Sequence, residues 1–354
     1  MIRVLVVDDS ASVRELLVHI LGSDPGVQVV GCAADGAQGV EMAQRLHPDV
    51  IAMDLQMPVM DGYEATRRIM RECPTPVVVV SGAEDHAEVE AGFRAIEAGA
   101  LVLVRRPRGP AHPEHGESAR ALLRTVKTMA EVRVVRRWDA NAAGARRARL
   151  APAGAPAAHR LVAIGASTGG PAVLRDVLAQ LGAGFPLPVV IVQHIAPGFT
   201  EGLAEWLSHA SGFPVSVAAH CQRLAPGRAY LAPDGSHLAV TRSLEASLSG
   251  GASEHGMRPA VAHLFRTLPR ELRSAVVAVL LTGMGKDGAE DLKRLREDGA
   301  VTIVQDRASA AVYGMPGEAL RLGAAMLVLE PARIGKALHT IAYQPKDGLA
   351  ILGL

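Results

Sequence analysis

The chain has 354 residues, of which 49% are apolar, 21% are charged and only 3% are aromatic, and its formal net charge is +1. This length suits two folded domains. The near-neutral charge and the scarcity of aromatic side chains argue against a surface that binds nucleic acid.

No segment of the sequence predicts export or membrane insertion. The N-terminus, "MIRVLVVDDS", reaches acidic residues after a short apolar run, which a signal peptide does not do. No apolar run approaches the roughly 18 residues that a transmembrane helix needs. Cys32, Cys73 and Cys221 are too far apart to predict a disulfide framework or a metal site. We therefore expect a cytoplasmic protein with no nucleic-acid partner and no membrane insertion.

Residues 1–127 alternate between strand-like and helix-like segments. The strand-like runs are "IRVLVV", "VQVVGCA", "DVIAMD", "PVVVVS" and "ALVLV". The segments between them have apolar residues three and four positions apart, and "GESARALLRTVKTMAEV" predicts a helix after the last strand. Near-continuous apolar strands that alternate with helices are typical of a doubly wound, mainly parallel sheet in an α/β domain.

A linker over residues 128–159 is predicted to separate this domain from a second one over residues 160–345. The segment "VRRWDANAAGARRARLAPAGAPAAH" has few large apolar residues and cannot bury a core. Beyond it, "LVAIG", "LPVVIVQ", "AVVAVLL", "AVTIVQD" and "AMLVLE" alternate with helical patterns and predict a second doubly wound, mainly parallel sheet. In "GRAYLAPDGSHLAV", a Pro-Asp-Gly-Ser turn between two strand-like runs predicts an antiparallel hairpin.

Polar side chains follow the strands of the first domain where each strand ends. Asp8 and Asp9 come after "RVLVV", and Asp54 comes after "DVIAM". Ser81 ends the fourth strand-like run, and Arg106 follows the fifth. The carboxyl ends of parallel strands meet in one crevice, where three carboxylates repel one another. A hard divalent cation such as Mg²⁺, which prefers oxygen ligands, would relieve that repulsion.

This arrangement resembles the receiver domain of bacterial response regulators. The acidic pair, Asp54, "QMPVMDG", Ser81 and the basic residue before Pro107 occur in the order of that family. The resemblance implies a flavodoxin-like fold in which Asp54 accepts a phosphoryl group from a histidine kinase. It also implies that Mg²⁺ is held by Asp8, Asp9, Asp54 and the backbone carbonyl of Gln56.

Two positions of the first domain depart from the receiver pattern. Arg106 stands where receivers usually have lysine, and a planar guanidinium is not equivalent to a compact ammonium. Leu103 stands where the family usually has an aromatic residue that relays the signal. We expect phosphorylation to survive these changes, whereas the strength of the coupling to the second domain stays open.

The stretch "AIGASTGGP" in the second domain admits two readings, a phosphate-binding loop or a turn that presents a nucleophile. A Walker-type loop needs a lysine where Pro171 stands, and the glycine spacing does not fit Gly-x-Gly-x-x-Gly. The stretch does match Gly-x-Ser-x-Gly, which makes a tight strand-to-helix elbow and pushes the serine Oγ clear of the backbone. Ser167 is therefore a candidate nucleophile, although an ordinary small-residue turn has the same pattern.

A serine nucleophile needs a base, and the base needs an orienting acid. His194 ends "LPVVIVQ", the strand-like run that follows the elbow. Asp287 lies in "VVAVLLTGMGKDGAEDL", where a buried strand leads into a glycine-rich turn and a helix. Taken alone, Asp287 could equally be a helix-capping residue. All three candidates follow strands of one predicted sheet.

The second domain resembles the catalytic domain of chemotaxis protein-glutamate methylesterases, the CheB family. The resemblance runs from about residue 161 to residue 341 and rests on "GASTGGP", "VQHIAPGFTEGLAEWL", "APGRAYLAPDGSHL", "RPAVAHLF", "LLTGMGKDGAEDL" and "VQDRASAAVYGMPGEA". It implies that Ser167 is the nucleophile, that His194 is the general base and then acid, and that Asp287 orients His194. The family pattern suggests the Met284 N–H as an oxyanion donor, and analogy with other elbows adds the Thr168 N–H.

The resemblance implies hydrolysis of glutamate γ-methyl esters on methyl-accepting chemotaxis receptors, with deamidation of receptor glutamines by the same acyl chemistry. The implied partners are these receptors and a histidine kinase of the chemotaxis type, and no cofactor is implied for the esterase. Two alternatives stay open: a phosphorylation-gated interaction module, or a hydrolase of another protein ester in a non-motility pathway. A DNA-binding regulator would need a basic recognition helix after the linker, and the near-neutral α/β pattern of this segment does not predict one.

Overall fold

The structure is a computed structural model that describes residues 1–82, 86–132, 159–182 and 184–344. The chain divides into two compact units, Met1–Arg149 and Leu150–Leu354. Each unit has its own sheet, and each is considered by itself below. This two-domain α/β organisation confirms the predicted fold class.

The first unit contains a five-stranded parallel sheet in the order β2-β1-β3-β4-β5. Its strands are β1 Ile2–Val7, β2 Val27–Ala33, β3 Val50–Met53, β4 Val77–Ser81 and β5 Val102–Arg105. Its helices are α1 Ala11–Gly22, α2 Gly36–Leu46, α3 Gly62–Glu72, α4 His86–Ala98 and α5 His115–Ala130. The strand order reverses between β1 and β3, so the crevice at the switch point lies between the ends of these two strands.

Local sequence accounts for these elements. Every residue of β3 and β4 is buried, as expected for strands that helices cover on both faces. Asp35 and Asp61 cap α2 and α3 by accepting hydrogen bonds from the backbone N–H of Gln38 and Glu64.

The second unit contains a seven-stranded parallel sheet in the order β14-β13-β12-β6-β7-β9-β8. Its strands are β6 Leu161–Ala166, β7 Val189–Gln193, β8 Val215–Val217, β9 Ala229–Leu231, β12 Val276–Leu280, β13 Val301–Gln305 and β14 Leu327–Leu329. After β6, the chain adds β7, β8 and β9 on one side of β6. It later adds β12, β13 and β14 on the other side. The switch point of this sheet therefore lies between β6 and β12.

Seven helices accompany this sheet in the described part of the second unit. They are α6 Gly170–Leu178, α7 Thr200–Ser211, α8 Val261–Thr267, α9 Arg270–Arg273, α10 Ala289–Glu297, α11 Met315–Arg321 and α12 Pro331–Tyr343. The core fills the space between α8, α10 and the sheet with aliphatic side chains, among them Leu264, Leu280 and Leu292. No helix in the described residues is long and apolar enough to cross a membrane.

The predicted hairpin in the second unit is wrong in its choice of strands. Antiparallel pairing does occur, but it joins β10, His237–Val240, to β11, Ala246–Ser249. The run before the Pro-Asp-Gly-Ser turn forms β9, which pairs in parallel with β7 and β8. The turn thus leads from the main sheet to a separate two-stranded ribbon.

The linker predicted over residues 128–159 falls largely outside the described residues. Helix α5 continues to Ala130, three residues beyond the predicted end of the first domain at residue 127. Residues 133–158 are not among the described ranges, so the proposed boundaries at 128 and 159 stay predictions.

Candidate active site and receiver site

Two strand ends of the first unit bring its acidic residues together. Asp8 follows β1 directly and Asp54 follows the neighbouring β3, and the Asp54 N–H donates to the Val7 carbonyl at 2.8 Å. Ligand oxygens of Asp8, Asp9 and Asp54 all lie within 4.8 Å of one another. Asp8 and Asp54 are buried, whereas Asp9 is exposed. The sequence prediction placed these three carboxylates in one crevice, and the structure has them there.

Arg106 supplies the positive charge of this crevice. Its Nη2 lies 3.0 Å from Asp54 Oδ1 and 3.9 Å from Asp8 Oδ2. The Arg106 N–H donates to the Ser81 carbonyl at 2.7 Å, so the ends of β4 and β5 are joined beside the acids. Leu103 is buried within β5 and packs next to Gly92 of α4, where a Cβ would lie 3.0 Å from Leu103 Cδ2.

The charges of the crevice are only partly balanced. Burial, followed by the charge of Asp8, raises the pKa of Asp54 from its ordinary value of 3.8 to about 6, despite the opposing charge of Arg106. Burial also raises the pKa of Asp8. Asp8 Oδ2 is buried and has no hydrogen-bond partner among the described residues. A buried carboxylate with an unpaired oxygen, together with two neighbouring carboxylates, provides oxygen ligands that suit a hard divalent cation. Gln56 lies two residues beyond Asp54 with an exposed side chain, and the role of its carbonyl stays a prediction.

Replacing Asp54 with asparagine is expected to stabilise the protein when no divalent cation is present. Because the folded-state pKa of Asp54 is raised, its ionisation opposes folding, and stability is lost as the pH rises from 3.8 towards about 6. Asparagine does not ionise, so we expect D54N to raise the free energy of unfolding by about 1–3 kcal/mol at pH 7. Urea denaturation with a chelator measures this change, and an unchanged or lower stability would contradict the origin of the shift.

Ser167 lies in a tight turn between β6 and α6. The turn closes with the Gly170 N–H, which donates to the Ser167 carbonyl at 2.8 Å, and Gly169 adopts a φ of +75°, which favours glycine. The Ser167 N–H donates to the carbonyl of Thr282 at 3.0 Å, across from β6 to the end of β12. Pro171 occupies the first turn of α6, where its missing N–H costs nothing. The local geometry is the strand-to-helix elbow that the glycine pattern predicts.

Gly165, the first residue of the elbow pattern, allows a close approach of α8 to the sheet. A Cβ at this position would lie 2.3 Å from Val261 Cγ1 and 3.0 Å from Leu280 Cδ1. We expect Gly165→Ala to lower the free energy of unfolding by about 1–3 kcal/mol, because the core must shift to admit the methyl group. Gly250→Ala is a matched control, since a Cβ there would have no atom of the described residues within 4 Å. Equal effects of the two substitutions in thermal or urea unfolding would argue against this packing constraint.

Three adjacent strands carry the three candidate catalytic residues. Strand β6 leads to Ser167, its neighbour β7 leads to His194, and its other neighbour β12 leads through a glycine-rich loop to Asp287. His194 Nε2 lies 2.9 Å from Asp287 Oδ2, and both side chains are almost fully buried. The ring is turned so that this contact does not meet hydrogen-bond geometry, and catalytic contacts are often loose without substrate.

Asp287 is held by the N-terminus of α8, a partner that the sequence reasoning missed. Its Oδ2 accepts a hydrogen bond from the Val261 N–H at 2.7 Å, and its Oδ1 accepts one from the Ala262 N–H at 2.9 Å. Burial would raise the pKa of Asp287, but His194 and these two N–H groups outweigh burial and lower the pKa below 3.8. Asp287 is therefore ionised at neutral pH and fixed in place, as an orienting acid must be.

The ring orientation of His194 determines which nitrogen is left for the base. Because Nε2 faces Asp287, Nδ1 is the nitrogen that remains to take a proton. Ser167 is buried, and its Oγ forms no hydrogen bond within the described part of the chain. The structure thus brings His194 and Asp287 into contact and places Ser167 on the strand between theirs. The catalytic roles of the three residues stay predictions.

The two predicted oxyanion donors flank the nucleophile. A Cβ on Gly283 would lie 2.7 Å from Ser167 Cβ, which places the backbone just before Met284 against the nucleophile. Thr168 follows Ser167, and its carbonyl accepts a hydrogen bond from Thr282 Oγ1 at 2.9 Å. These contacts fix the local backbone, and the use of the Met284 and Thr168 N–H groups as oxyanion donors stays a prediction.

Buried polar side chains beneath the site also escaped the sequence reasoning. Gln193 ends β7, Gln305 ends β13, and Thr282 follows β12, and all three are at most 5% exposed. Gln305 Oε1 accepts a hydrogen bond from the Thr282 N–H at 2.7 Å. The available signal was a glutamine that ends a mainly apolar strand, as in "VVIVQ" and "VTIVQ".

A second histidine cluster, His237, Glu254 and His263, has metal-ligating atoms within 4.8 Å of one another. The two imidazole rings are stacked with centroids 4.3 Å apart, so their in-plane lone pairs do not converge on one point. His237 uses both ring nitrogens in contacts with backbone at Ala252 and Ala260. Glu254 pairs with His263 at 2.8 Å and lies against Arg266. The cluster is a hydrogen-bonded support for the start of α8 rather than a metal site.

Comparison with known proteins covers both units. The family model for the CheB methylesterase matches residues 162–338, and the model for the response regulator receiver domain matches residues 4–112. A protein-glutamate methylesterase/protein-glutamine glutaminase of Geobacter metallireducens is 53% identical over 97% of this chain and 100% of its own length. One from Syntrophus aciditrophicus is 47% identical over 97% of this chain and 99% of its own length.

A solved structure agrees with the second unit. The CheB methylesterase catalytic domain of Thermotoga maritima is 34% identical, with a TM-score of 0.50 over 52% of this chain and 98% of that domain. Fold and site together define a receiver domain joined in one chain to an α/β domain with a serine, a histidine and an aspartate at three adjacent strand ends. The chain belongs to the CheB methylesterase family.

Proposed function

We propose that the second unit hydrolyses γ-methyl esters of glutamate residues on methyl-accepting chemotaxis receptors. The main evidence for this proposal is the buried contact between His194 and Asp287. These two residues follow the strands on either side of the one that leads to the Ser167 elbow. The relatives described above are named protein-glutamate methylesterase/protein-glutamine glutaminase, which supports the choice of substrate and adds receptor glutamines as a second one.

The geometry supports acyl transfer in two steps. Ser167 Oγ attacks the ester carbonyl while His194 takes its proton, and Asp287 stabilises the imidazolium that forms. The Met284 and Thr168 N–H groups stabilise the oxyanion. His194 then protonates the departing methoxide, which leaves as methanol. Water attacks the acyl-enzyme with His194 again as base, which releases the glutamate side chain and restores Ser167. With a glutamine substrate, the same steps release ammonia.

The first unit is proposed to regulate this activity by phosphorylation of Asp54 from a chemotaxis-type histidine kinase. Receiver domains generally bind Mg²⁺, and Asp8, Asp9, Asp54 and the Gln56 carbonyl would hold it here. Bound Mg²⁺ would supply positive charge against the phosphoryl oxygens. Arg106, 3.0 Å from Asp54, places a second positive charge beside the acceptor carboxylate.

We assign residues 1–127 to the receiver, 128–159 to a linker and 160–345 to the catalytic domain. We place the protein in the cytoplasm, where the kinase and the receptor tails are found.

Mass spectrometry of a methylated receptor fragment tests the reaction. We expect each ester to lose one methylene mass, and each susceptible glutamine to become glutamate. A fragment that keeps its full methyl content after prolonged incubation with the protein would contradict the esterase assignment.

A further inference from the structure

Gln193 is a buried amide beside the catalytic residues, and the hydrolytic steps described above give it no role. It is the last residue of β7 and pairs with Ala166 in the parallel ladder to β6. Ser167 follows Ala166, and His194 follows Gln193. Gln193 therefore precedes the base by one residue, and its partner on the neighbouring strand precedes the nucleophile by one residue. Gln193 is only 5% exposed.

The Gln193 amide binds the backbone of both catalytic residues. Its Nε2 donates to the Ser167 carbonyl at 2.8 Å and to the His194 carbonyl at 2.8 Å. The Ser167 carbonyl accepts a second hydrogen bond, from the Gly170 N–H at 2.8 Å. A single NH₂ group thus joins the peptide that carries the nucleophile to the peptide that carries the base.

The orientation of this amide is determined by its surroundings. Gln193 Oε1 is buried and has no hydrogen-bond partner among the described residues. The reversed orientation would place that oxygen against two carbonyl oxygens, where like partial charges repel, so the two donors must face the carbonyls. Leaving a buried acceptor unpaired is unfavourable. Because the amide nevertheless has this orientation, the two hydrogen bonds that Nε2 donates are the interactions that determine it.

Gly170 provides the space that the amide occupies. A Cβ on Gly170 would lie 2.1 Å from Gln193 Oε1 and 3.0 Å from Ala166 Cβ. Glycine at position 170 therefore leaves room for the glutamine side chain. This close approach gives an independent means of displacing the amide.

We propose that Gln193 is a positioning residue that keeps the nucleophile and the base in mutual register. This inference rests on the proposed hydrolase function of the site. Ser167 Oγ makes no hydrogen bond within the described structure, so its position follows from its backbone, and the backbone is held by Gln193. A displacement of about 1 Å between reacting groups can lower a rate by about 100-fold.

Gln193→Leu tests the inference, because leucine fills a similar volume and donates no hydrogen bond. We expect kcat to fall about 10- to 100-fold while KM stays within about twofold, because substrate contacts are kept and alignment is lost. The change should be the same for methanol release from a methylated receptor fragment and for hydrolysis of p-nitrophenyl acetate, a small ester that needs no receptor recognition.

Thr302→Val is the matched control. Thr302 is fully buried, and its Oγ1 donates to the Ala324 carbonyl at 2.6 Å, away from the catalytic strand ends. Thr302 Oγ1 also accepts a hydrogen bond from the Met326 N–H at 3.2 Å, so this substitution removes two hydrogen bonds, as Gln193→Leu does, and measures the effect of lost stability alone. We expect kcat of T302V to stay within about twofold of the unmodified protein.

A double-mutant cycle with Gly170→Ala separates positioning from general damage. We expect Gly170→Ala to lower kcat in the unmodified protein and to have much less effect beside Gln193→Ala, where the space is free. The inference would be overturned if the effects of Gly170→Ala and Gln193→Ala on kcat were independent. It would also be overturned if Gln193→Leu left kcat unchanged or changed only KM, or if T302V lost as much kcat as Gln193→Leu.

If Ser167-dependent hydrolysis of p-nitrophenyl acetate occurs without methanol release, the receptor-ester proposal fails, whereas the acetate assay still tests Gln193. If the protein hydrolysed neither ester, both the receptor-ester proposal and the inference about Gln193 would fail.

Discussion

Replacing Ser167 with alanine is expected to abolish ester hydrolysis while the fold persists. In serine hydrolases, loss of the nucleophile lowers kcat by about 10³- to 10⁶-fold, because only binding and oxyanion stabilisation remain. Alanine keeps the backbone contacts of Ser167 with Thr282 and Gly170, so we expect the free energy of unfolding to change by less than about 1 kcal/mol. Methanol release and urea unfolding of the same preparation measure the two effects.

Ser243→Ala is the control for the nucleophile, since Ser243 is an exposed serine in the turn between β10 and β11. We expect its activity to match that of the unmodified protein. If S167A retained more than a few per cent of the rate, a different nucleophile would have to carry the reaction, and the assignment of the elbow would fail.

Replacing Asp287 with asparagine is expected to lower kcat by about 10³- to 10⁴-fold, because an amide neither stabilises the imidazolium nor fixes the ring of His194. Stability should fall as well, by about 1–3 kcal/mol. Asp287 accepts hydrogen bonds from the Val261 and Ala262 N–H groups, and the NH₂ of asparagine would confront one of these donors. Kinetics on a methylated receptor fragment and urea unfolding at pH 7 measure these losses.

The stability lost in D287N should depend on pH in a defined direction. The folded-state pKa of Asp287 lies below its ordinary value of 3.8, so the carboxylate contributes its full stabilisation above that pH and loses it as the pH falls through the folded-state value. The difference from the unmodified protein should therefore shrink in acid. Asp291→Asn is the control, because Asp291 is similarly buried and pairs with Arg294, whereas the ion pair of His194 in the described residues is with Asp287. A comparable loss of kcat in D291N would contradict the specific role of Asp287.

The sequence was sufficient to predict most of the parallel strands and the strand ends that carry polar groups, but not α11 and α12 of the second unit. Near-continuous apolar runs such as those of β4 and β12 predict buried parallel strands, and the residues that follow such strands converge in one crevice. Asp8 with Asp54, and His194 with Asp287, were predicted to lie in one crevice on that ground. In the structure, ligand oxygens of Asp8 and Asp54 lie within 4.8 Å of each other, and His194 Nε2 lies 2.9 Å from Asp287 Oδ2.

The sequence was not sufficient where the partner of a group is distant along the chain. The turn before β10 predicted pairing with β9, but strand partners depend on the whole sheet, and β9 lies beside β7. Likewise, the hydrogen bonds from α8 to Asp287 connect residues about 25 positions apart, which no local pattern reports. The Gln193 amide was missed for a different reason, since glutamine is not a residue type that carries out acyl transfer.

The rate of methanol release shows whether phosphorylation of the receiver regulates the esterase. The full chain is incubated with a methylated receptor fragment, with and without acetyl phosphate and Mg²⁺, beside Asp54→Ala treated in the same way. We expect the unmodified chain to release methanol faster once it is phosphorylated, and D54A to show no increase. Absence of methanol release in both states, or an equal increase in D54A, would contradict a phosphorylation-regulated methylesterase.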